Sequence, residues 1–346
     1  MGSLLANDSV RRMEWTAEVD AGDWLRGRID DPWRGTMHDV VPRGFPAYAR
    51  VFHPATRDRP VGAAWPTEPY SDRRAWDAFH SAHPDLVVDS ERVTWAATAA
   101  ALGRTMHPGA QWAAIARFDP RANRENDPRD AAGWRYSDPE QGGMPADVVA
   151  ALSDVLVRHT SAPRDGWAAL WEGHGDLVGH FGVGPSRVFL QVEDSDGPAD
   201  PHLAQHNAML GRSLKDRFNS VFRKPTWQDG ILPRDVSEGA RLRLPGRDYV
   251  LFRGDVSELA HPEWVLHVPW RDRESEEHGF PPSAHAPGIL WPADRAWVSV
   301  TEVDFDSTIV GGTDELVRAL CADPRLEALP IRVEADLSWD ADEVNR

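Results

Sequence analysis

Short strand-like and helix-like segments alternate along the second half of the chain, and long loops separate them. The strand-like segments are 167–171, 188–192, 249–253 and 297–303, and the helix-like ones are 145–156 and 200–221. Two of the loops, 223–241 and 271–288, are long and rich in proline, glycine and charge. Mixed elements of this kind predict an α+β fold with a mixed, mostly antiparallel sheet, flanking helices and long loops.

Three segments carry the clearest local signals. Residues 47–52 have the alternation of a strand. A helix capped by Asp89 or Ser90 is expected to end at Gly103, which suits a left-handed C-terminal position. Pro145 suits the first turn of another helix. The apolar residues of that helix recur at the spacing of a buried stripe, at Val148, Val149, Leu152, Val155 and Leu156.

The length of the chain predicts two subdomains, because 346 residues exceed the size at which one hydrophobic core usually stops growing. Residues 119–143 hold almost no apolar side chains besides Trp134 and Tyr136, which is typical of a surface loop or linker. The predicted division is an N-terminal α+β subdomain at 1–119, a linker or surface loop at 120–143, and a C-terminal α+β subdomain at 144–346.

The charge balance bears on partners. The chain has 38 Lys and Arg against 55 Asp and Glu, a net charge of −17, which repels phosphate backbones and anionic lipids. We therefore expect neither nucleic acid nor a membrane as a partner. Cys321 is the only cysteine, so no internal disulfide can form. Without a long apolar run or a signal-peptide pattern at the start, the sequence predicts a cytoplasmic protein.

Tryptophan is the most overrepresented residue type, with 16 in the chain. An indole ring packs in a core and also stacks on sugars or aromatic ligands, and for any single tryptophan the core role is favoured. Trp171 and Glu172 are candidate ligand-binding residues at the start of a glycine-rich segment. The nearby His174, Asp176 and His180 match no metal-site spacing, so a plain loop is favoured there.

The sharpest chemical feature is an acidic run from Glu302 to Asp306. If the strand beginning at Trp297 continues through it, Glu302, Asp304 and Asp306 share one face. Carboxylates about 7 Å apart along a strand can hold a hard cation or act as an acid–base pair. The open alternative is a solvent-facing strand end whose charge is neutralised by arginines.

Arg295 and Arg253 are the arginines that this alternative invokes, and Asp294 precedes the first of them. The candidate ligand-binding residues are therefore Trp171, Glu172, Asp294, Arg295, Glu302, Asp304 and Asp306. The sequence identifies no cofactor, and it assigns no metal to these residues.

Three stretches of the C-terminal half together carry a family resemblance. They are Ala169–Gly173 (ALWEG), Leu244–Gly254 (LPGRDYVLFRG) and Ile289–Gly312 (ILWPADRAWVSVTEVDFDSTIVGG), and the tail at 323–330 (DPRLEALP) fits as well. The combination resembles a family of uncharacterised bacterial proteins. The resemblance implies kinship and brings no activity, fold or site residues with it.

The sequence leaves two functions open. The favoured one is a non-catalytic module that binds a small-molecule ligand or a protein, because tryptophan is abundant, the loops are long and no complete catalytic motif is present. The alternative is a carboxylate-dependent hydrolase that uses Glu302, Asp304 or Asp306. In that case Glu172, Asp294 or His267 would converge on them from neighbouring strands.

Overall fold

The computed structural model describes residues 12–30, 36–116, 128–183, 187 and 224–345. The predicted strand at 188–192 and the predicted helix at 200–221 lie outside these residues. Within them, no helix is long and apolar enough to cross a lipid bilayer.

The strands of the described residues are short, and they pair antiparallel wherever their register is defined. They are β1 Glu14–Trp15, β2 Ala47–Phe52, β3 Ala55–Pro60, β4 Val88–Val93, β5 Arg135–Ser137, β6 Gly166–Trp171, β7 His180–Gly182, β8 Thr226–Gln228, β9 Leu242–Leu244, β10 Arg247–Gly254, β11 Ile289–Pro292, β12 Val298–Thr301, β13 Ser307–Gly312 and β14 Ala328–Ile331.

The helices are short as well, and 3-10 turns at Val19–Gly22, Met37–Asp39, Val256–Ala260 and Trp264–Leu266 accompany them. The α-helices of the described residues are α1 Asp23–Arg26, α2 Arg73–Ala82, α3 Trp95–Ala101, α4 Trp112–Ala116, α5 Ala146–Val157, α6 Arg234–Ser237, α7 Arg273–Glu277 and α8 Asp314–Ala322. Antiparallel sheets, helices and long loops confirm the predicted α+β class.

Local sequence signals gave two of the three segments correctly. Strand β2 covers the predicted residues 47–52, and helix α5 begins after Pro145. The predicted start of the helix that includes Trp95 is wrong. Residues 88–93 form β4, because their backbone pairs with β3, and Thr94 then caps α3 by accepting a hydrogen bond from the Ala97 amide.

The first of two compact units comprises residues 1–27 and 149–295. In its described part, strands β1, β10, β6 and β11 lie side by side in that order, and β9 pairs with β10. Ala168, Ala169 and Leu170 of β6 are all fully buried. Because successive strand residues point to opposite faces, three buried neighbours mean that both faces of β6 are covered.

The second unit comprises residues 28–148 and 296–346. Strands β12, β13, β2 and β14 form one antiparallel array, and β4, β3 and β5 form another. A buried cluster from both arrays and from helices α3 and α4 forms its core. Its largest members are Phe52, Trp95, Trp112, Ile115 and Tyr136.

The boundaries of these units differ from the predicted division of the chain, because each unit is assembled from two separated segments. Residues 128–143, predicted as part of a linker or surface loop, contribute β5 to the second unit, and Tyr136 of β5 is fully buried. A segment with few apolar residues can still be structural when one of its aromatic side chains enters a core.

Arg50 of β2 is a charged side chain buried in the second unit, with 2% of its surface exposed. Its Nε donates to Ser307 Oγ at 2.8 Å, and Nη1 donates to the carbonyls of Ala110 at 2.7 Å and Pro108 at 3.2 Å. Nη2 lies 3.4 Å from Asp306 Oδ1. The guanidinium thus connects β2, β13 and the segment before α4.

Replacing Arg50 with Met should lower the free energy of unfolding by about 3–5 kcal/mol. The change removes four hydrogen bonds and leaves the Asp306 carboxyl group without its cation. Urea unfolding gives the value. The matched control is Arg92→Met, which breaks an ion pair with Asp147 between half-exposed side chains and should cost within about 0.5 kcal/mol. Equal losses in the two variants would contradict a structural role for Arg50.

Candidate functional site

The acidic run from Glu302 to Asp306 is a turn, and the prediction that it continues the strand is wrong. Strand β12 ends at Thr301, and Thr301 pairs with Thr308 of β13. The chain must reverse between these two residues, so the alternation of a strand is lost. Glu302 is buried, Asp304 is exposed and Asp306 is half-buried, so the three carboxylates do not share one face.

Asp306 belongs to the buried polar network around Arg50. Burial raises the pKa of Asp306, and the Arg50 guanidinium opposes this shift. Beside it, burial lowers the pKa of His53 to about 4, so this imidazole is neutral. His53 Nδ1 donates to the carbonyl of Glu140 at 2.8 Å, and Nε2 accepts from Thr308 Oγ1 at 3.0 Å. These contacts fix the hairpin in place, which is a structural role.

Trp171 and Glu172 lie at the end of β6 in the first unit. Glu172 Oε2 accepts from Arg241 Nε at 2.8 Å. Arg241 also donates to backbone carbonyls of α6 and the turn after it, including those of Ser237 and Gly239. The guanidinium of Arg247 lies 4.9 Å from the centre of the Trp171 ring. Glu172 is therefore engaged in holding the segment that leads into β9.

The segment after Trp171 forms a cluster with a histidine that is distant in sequence. The His285 Nε2 atom lies 2.9 Å from Oδ1 of the buried Asp176, and the His174 ring stacks on the His285 ring with centres 4.0 Å apart. The Trp171 ring packs edge-on against the His174 ring, with the ring centres 5.4 Å apart. The described residues nevertheless contain no group of three or more His, Cys, Asp or Glu side chains arranged to hold a metal.

Asp294 and Arg295 lie at the other end of β6. Asp294 accepts hydrogen bonds from the Thr160 hydroxyl and from the amide and hydroxyl of Ser161. Arg295 has a left-handed backbone, with φ of 54°, and its guanidinium lies 5.4 Å from the centre of the Trp24 ring. Both side chains are exposed.

The register of the sheet separates these two groups of candidates. Pro292 pairs with Gly166, the first residue of β6, whereas Glu172 follows the last residue, Trp171. At about 3.3 Å per residue, the length of β6 puts roughly 16 Å between them. Trp171 and Glu172 therefore do not share a site with Asp294 and Arg295.

A pocket in the first unit gathers ionisable side chains that sequence reasoning mostly missed. It is open to solvent, and its volume is about 560 Å³. We call it the Glu258 pocket. Its lining consists of Arg12, Glu258, His261, Pro262, Glu263 and His267. Of these residues, the sequence had singled out only His267.

Two consecutive 3-10 turns position the side chains of this pocket. Asp255 caps the first turn by accepting from the amide and hydroxyl of Ser257. Val256, Leu259 and Trp264 are buried, whereas His261 and Glu263 are exposed and Glu258 is half-buried. The sequence signal for this pocket is the mixture of polar and apolar residues over 256–267. It matches the period of neither a helix nor a strand, so sequence reasoning did not detect it.

Glu258 has the most unusual environment in this pocket. Its Oε2 atom is shielded from solvent and has no hydrogen-bond partner among the described residues. The Met13 amide donates to the carboxyl group, but burial outweighs this contact and raises the pKa of Glu258. Asp255 raises it further, while the positive charges of Arg12 and His267 oppose the shift. A carboxyl group of this kind takes up a proton more readily than an exposed glutamate.

Comparison with known proteins gives no relative for this chain: no protein-family model, curated protein or solved structure matches it. The resemblance of its C-terminal half to uncharacterised bacterial proteins stays a prediction.

Replacing Glu258 with Gln should change how stability depends on pH. A raised pKa means that the folded state binds the proton more tightly, so Glu258 disfavours folding once pH rises above that pKa. The variant should therefore unfold at a higher temperature than the native protein at about pH 8, and the gap should narrow toward about pH 4. Thermal unfolding at several pH values tests this, with Glu277→Gln on exposed α7 as the control. A gap that is constant with pH would contradict the assignment.

Proposed function

We propose that this protein binds a small polar ligand and that the Glu258 pocket is the binding site. The observation that carries the proposal is a concave site with a volume of about 560 Å³, whose lining includes a carboxyl group of raised pKa, two imidazoles and a guanidinium. Ligand pockets in proteins typically have volumes of about 300–1,000 Å³. Ionisable groups with perturbed pKa values in a cleft also favour function over structure.

Three of the carboxylates predicted as ligand-binding residues already have partners within the protein, which favours the Glu258 pocket as the binding site. Glu172 is bound to Arg241, Asp306 to Arg50, and Asp294 to Thr160 and Ser161. A carboxylate that already satisfies a neighbouring cation or turn has less capacity for a ligand. These residues serve the fold in this proposal, and the pocket serves binding.

The tryptophans support the same division of roles. The bulkiest fully buried side chains include Trp95, Trp264, Trp270, Trp291 and Trp297. Trp339 is the one exposed tryptophan among the described residues. We propose that tryptophan builds the core, that the protein acts in the cytoplasm, and that its partner is a small molecule. The net charge of −17 favours neither nucleic acid nor a membrane as that partner.

A screen of small polar molecules by thermal unfolding tests the binding function. A ligand present at about 100 times its Kd stabilises the folded state by about 2.7 kcal/mol. Compounds that stabilise the native protein should bind His267→Ala on the order of tenfold more weakly, since a polar contact is lost. Binding to the control variant His180→Ala, which changes an exposed histidine of β7, should be unchanged. Equal binding to both variants would place the ligand elsewhere.

A second candidate function is acid–base catalysis of hydrolysis in the same pocket. The specific observation is that Glu258, whose pKa is raised by burial, lines the same pocket as His267. A carboxyl group and an imidazole in one cleft can divide the roles of general acid and general base between them.

Nitrophenyl esters, phosphates and glycosides serve as substrates to test this candidate. Catalysis should appear as turnover by the native protein that falls on the order of a hundredfold in His267→Gln, the usual contribution of a general acid or base. Glu277→Gln should leave the rate unchanged. Turnover that survives the His267 change, or no turnover at all, would leave binding as the only function proposed for the pocket.

A further inference from the structure

We propose that the ligand of the Glu258 pocket is a small molecule with an oxyanion group, a carboxylate or a phosphate, and that Arg12, His261 and His267 receive this group. The inference rests on the binding function proposed above. It adds the charge class of the ligand, which the presence of a pocket does not by itself determine.

The first argument is the balance of donors and acceptors in the lining. Arg12, His261 and His267 are nitrogen donors, and all three are exposed residues of the pocket lining. Arginine and histidine are common ligands of carboxylates and phosphates, because their N–H groups form charge-assisted hydrogen bonds. Glu263 is the exposed carboxylate among the lining residues.

The second argument concerns the orientation of Glu258. Its Oε2 atom is shielded from solvent, and the Met13 amide donates to the carboxyl group. At least one oxygen of the Glu258 carboxyl group is therefore withdrawn from solvent. Of the two carboxyl groups in the lining, Glu263 offers the more accessible negative charge. The lining therefore presents three side chains that donate from nitrogen and one accessible carboxylate.

The third argument is electrostatic coupling between the ligand and bound protons. The charged groups that act on Glu258 are Asp255, Arg12 and His267, and His261 and Glu263 complete the pocket. A ligand anion adds negative charge beside Glu258, which favours the protonated form of this carboxyl group. Oxyanion binding should therefore take up protons and should strengthen as pH falls.

The overall charge of the protein works against this ligand, so the effect has to be local. A net charge of −17 repels anions at long range, and this repulsion is screened beyond about 8–10 Å at physiological salt. Within the pocket, direct hydrogen bonds from a guanidinium and two imidazoles outweigh the screened field. Arg12 is the one lining residue whose positive charge does not depend on pH.

The test uses ligand pairs that differ in charge and are otherwise matched. AMP is compared with adenosine, and glucose 6-phosphate with glucose, while citrate represents carboxylates and spermidine represents cations. Calorimetric titration of the full chain at about pH 5.5 and about pH 7.5 gives the affinity at each pH. Titration in buffers of different ionisation enthalpy gives the number of protons taken up.

Two variants should change the affinity in opposite directions. Arg12→Gln should weaken binding of the phosphate or citrate about tenfold, because a charge-assisted hydrogen bond is lost. Glu263→Gln should strengthen it on the order of threefold, because a like charge is removed. Arg243→Gln and Glu277→Gln change exposed side chains outside the pocket and serve as matched controls. Thermal unfolding confirms that each variant is folded.

Each outcome decides between clear alternatives. Anion binding that strengthens at low pH, weakens in Arg12→Gln and strengthens in Glu263→Gln supports the oxyanion. Binding of spermidine or of the neutral compounds, with the effects of the two variants reversed or absent, overturns the oxyanion and leaves the binding function intact. If no compound of the panel or of the wider screen binds, the pocket has no binding function and both proposals fail.

Discussion

The need to satisfy a buried guanidinium organises the second unit. A charge removed from water is tolerated only where hydrogen bonds and an opposite charge replace the lost hydration. Arg50 meets this requirement with two backbone carbonyls, the Ser307 hydroxyl and the Asp306 carboxylate. These partners come from two stretches of chain, the segment before α4 and the turn that leads into β13, so the guanidinium fixes both against β2. The acidic run that attracts attention in the sequence is thereby part of the fold.

The same principle explains why the most conspicuous polar residues of the first unit are poor sites for a ligand. Glu172 and Asp294 lie at opposite ends of β6, and each completes the hydrogen bonding of a neighbouring segment. The Glu258 pocket differs because its exposed side chains face solvent and its carboxyl group is incompletely satisfied. Groups that the fold leaves in an unfavourable state are the ones that a ligand or a proton can stabilise.

The composition of the chain has separate consequences for the fold and for function. Tryptophan enrichment provides large buried side chains such as Trp95 and Trp291 in units whose individual helices and strands are short. The acidic excess sets the long-range field and disfavours polyanionic partners. Neither property determines the chemistry of a pocket. That depends on a few side chains within hydrogen-bonding distance of a ligand, where local charges outweigh the net charge.

Local periodicity in the sequence was sufficient to predict the α+β class, strand β2 and helix α5, because hydrophobic spacing and turn residues act over a few neighbouring positions. It could not show that Thr301 pairs with Thr308, so that a run of carboxylates becomes a turn, or that Tyr136 fills a core. Nor could it place Arg12 beside residues 258–267. These outcomes depend on contacts between residues far apart in the chain. The energy of such contacts comes from burial and hydrogen bonding, which exist only once the tertiary structure has formed.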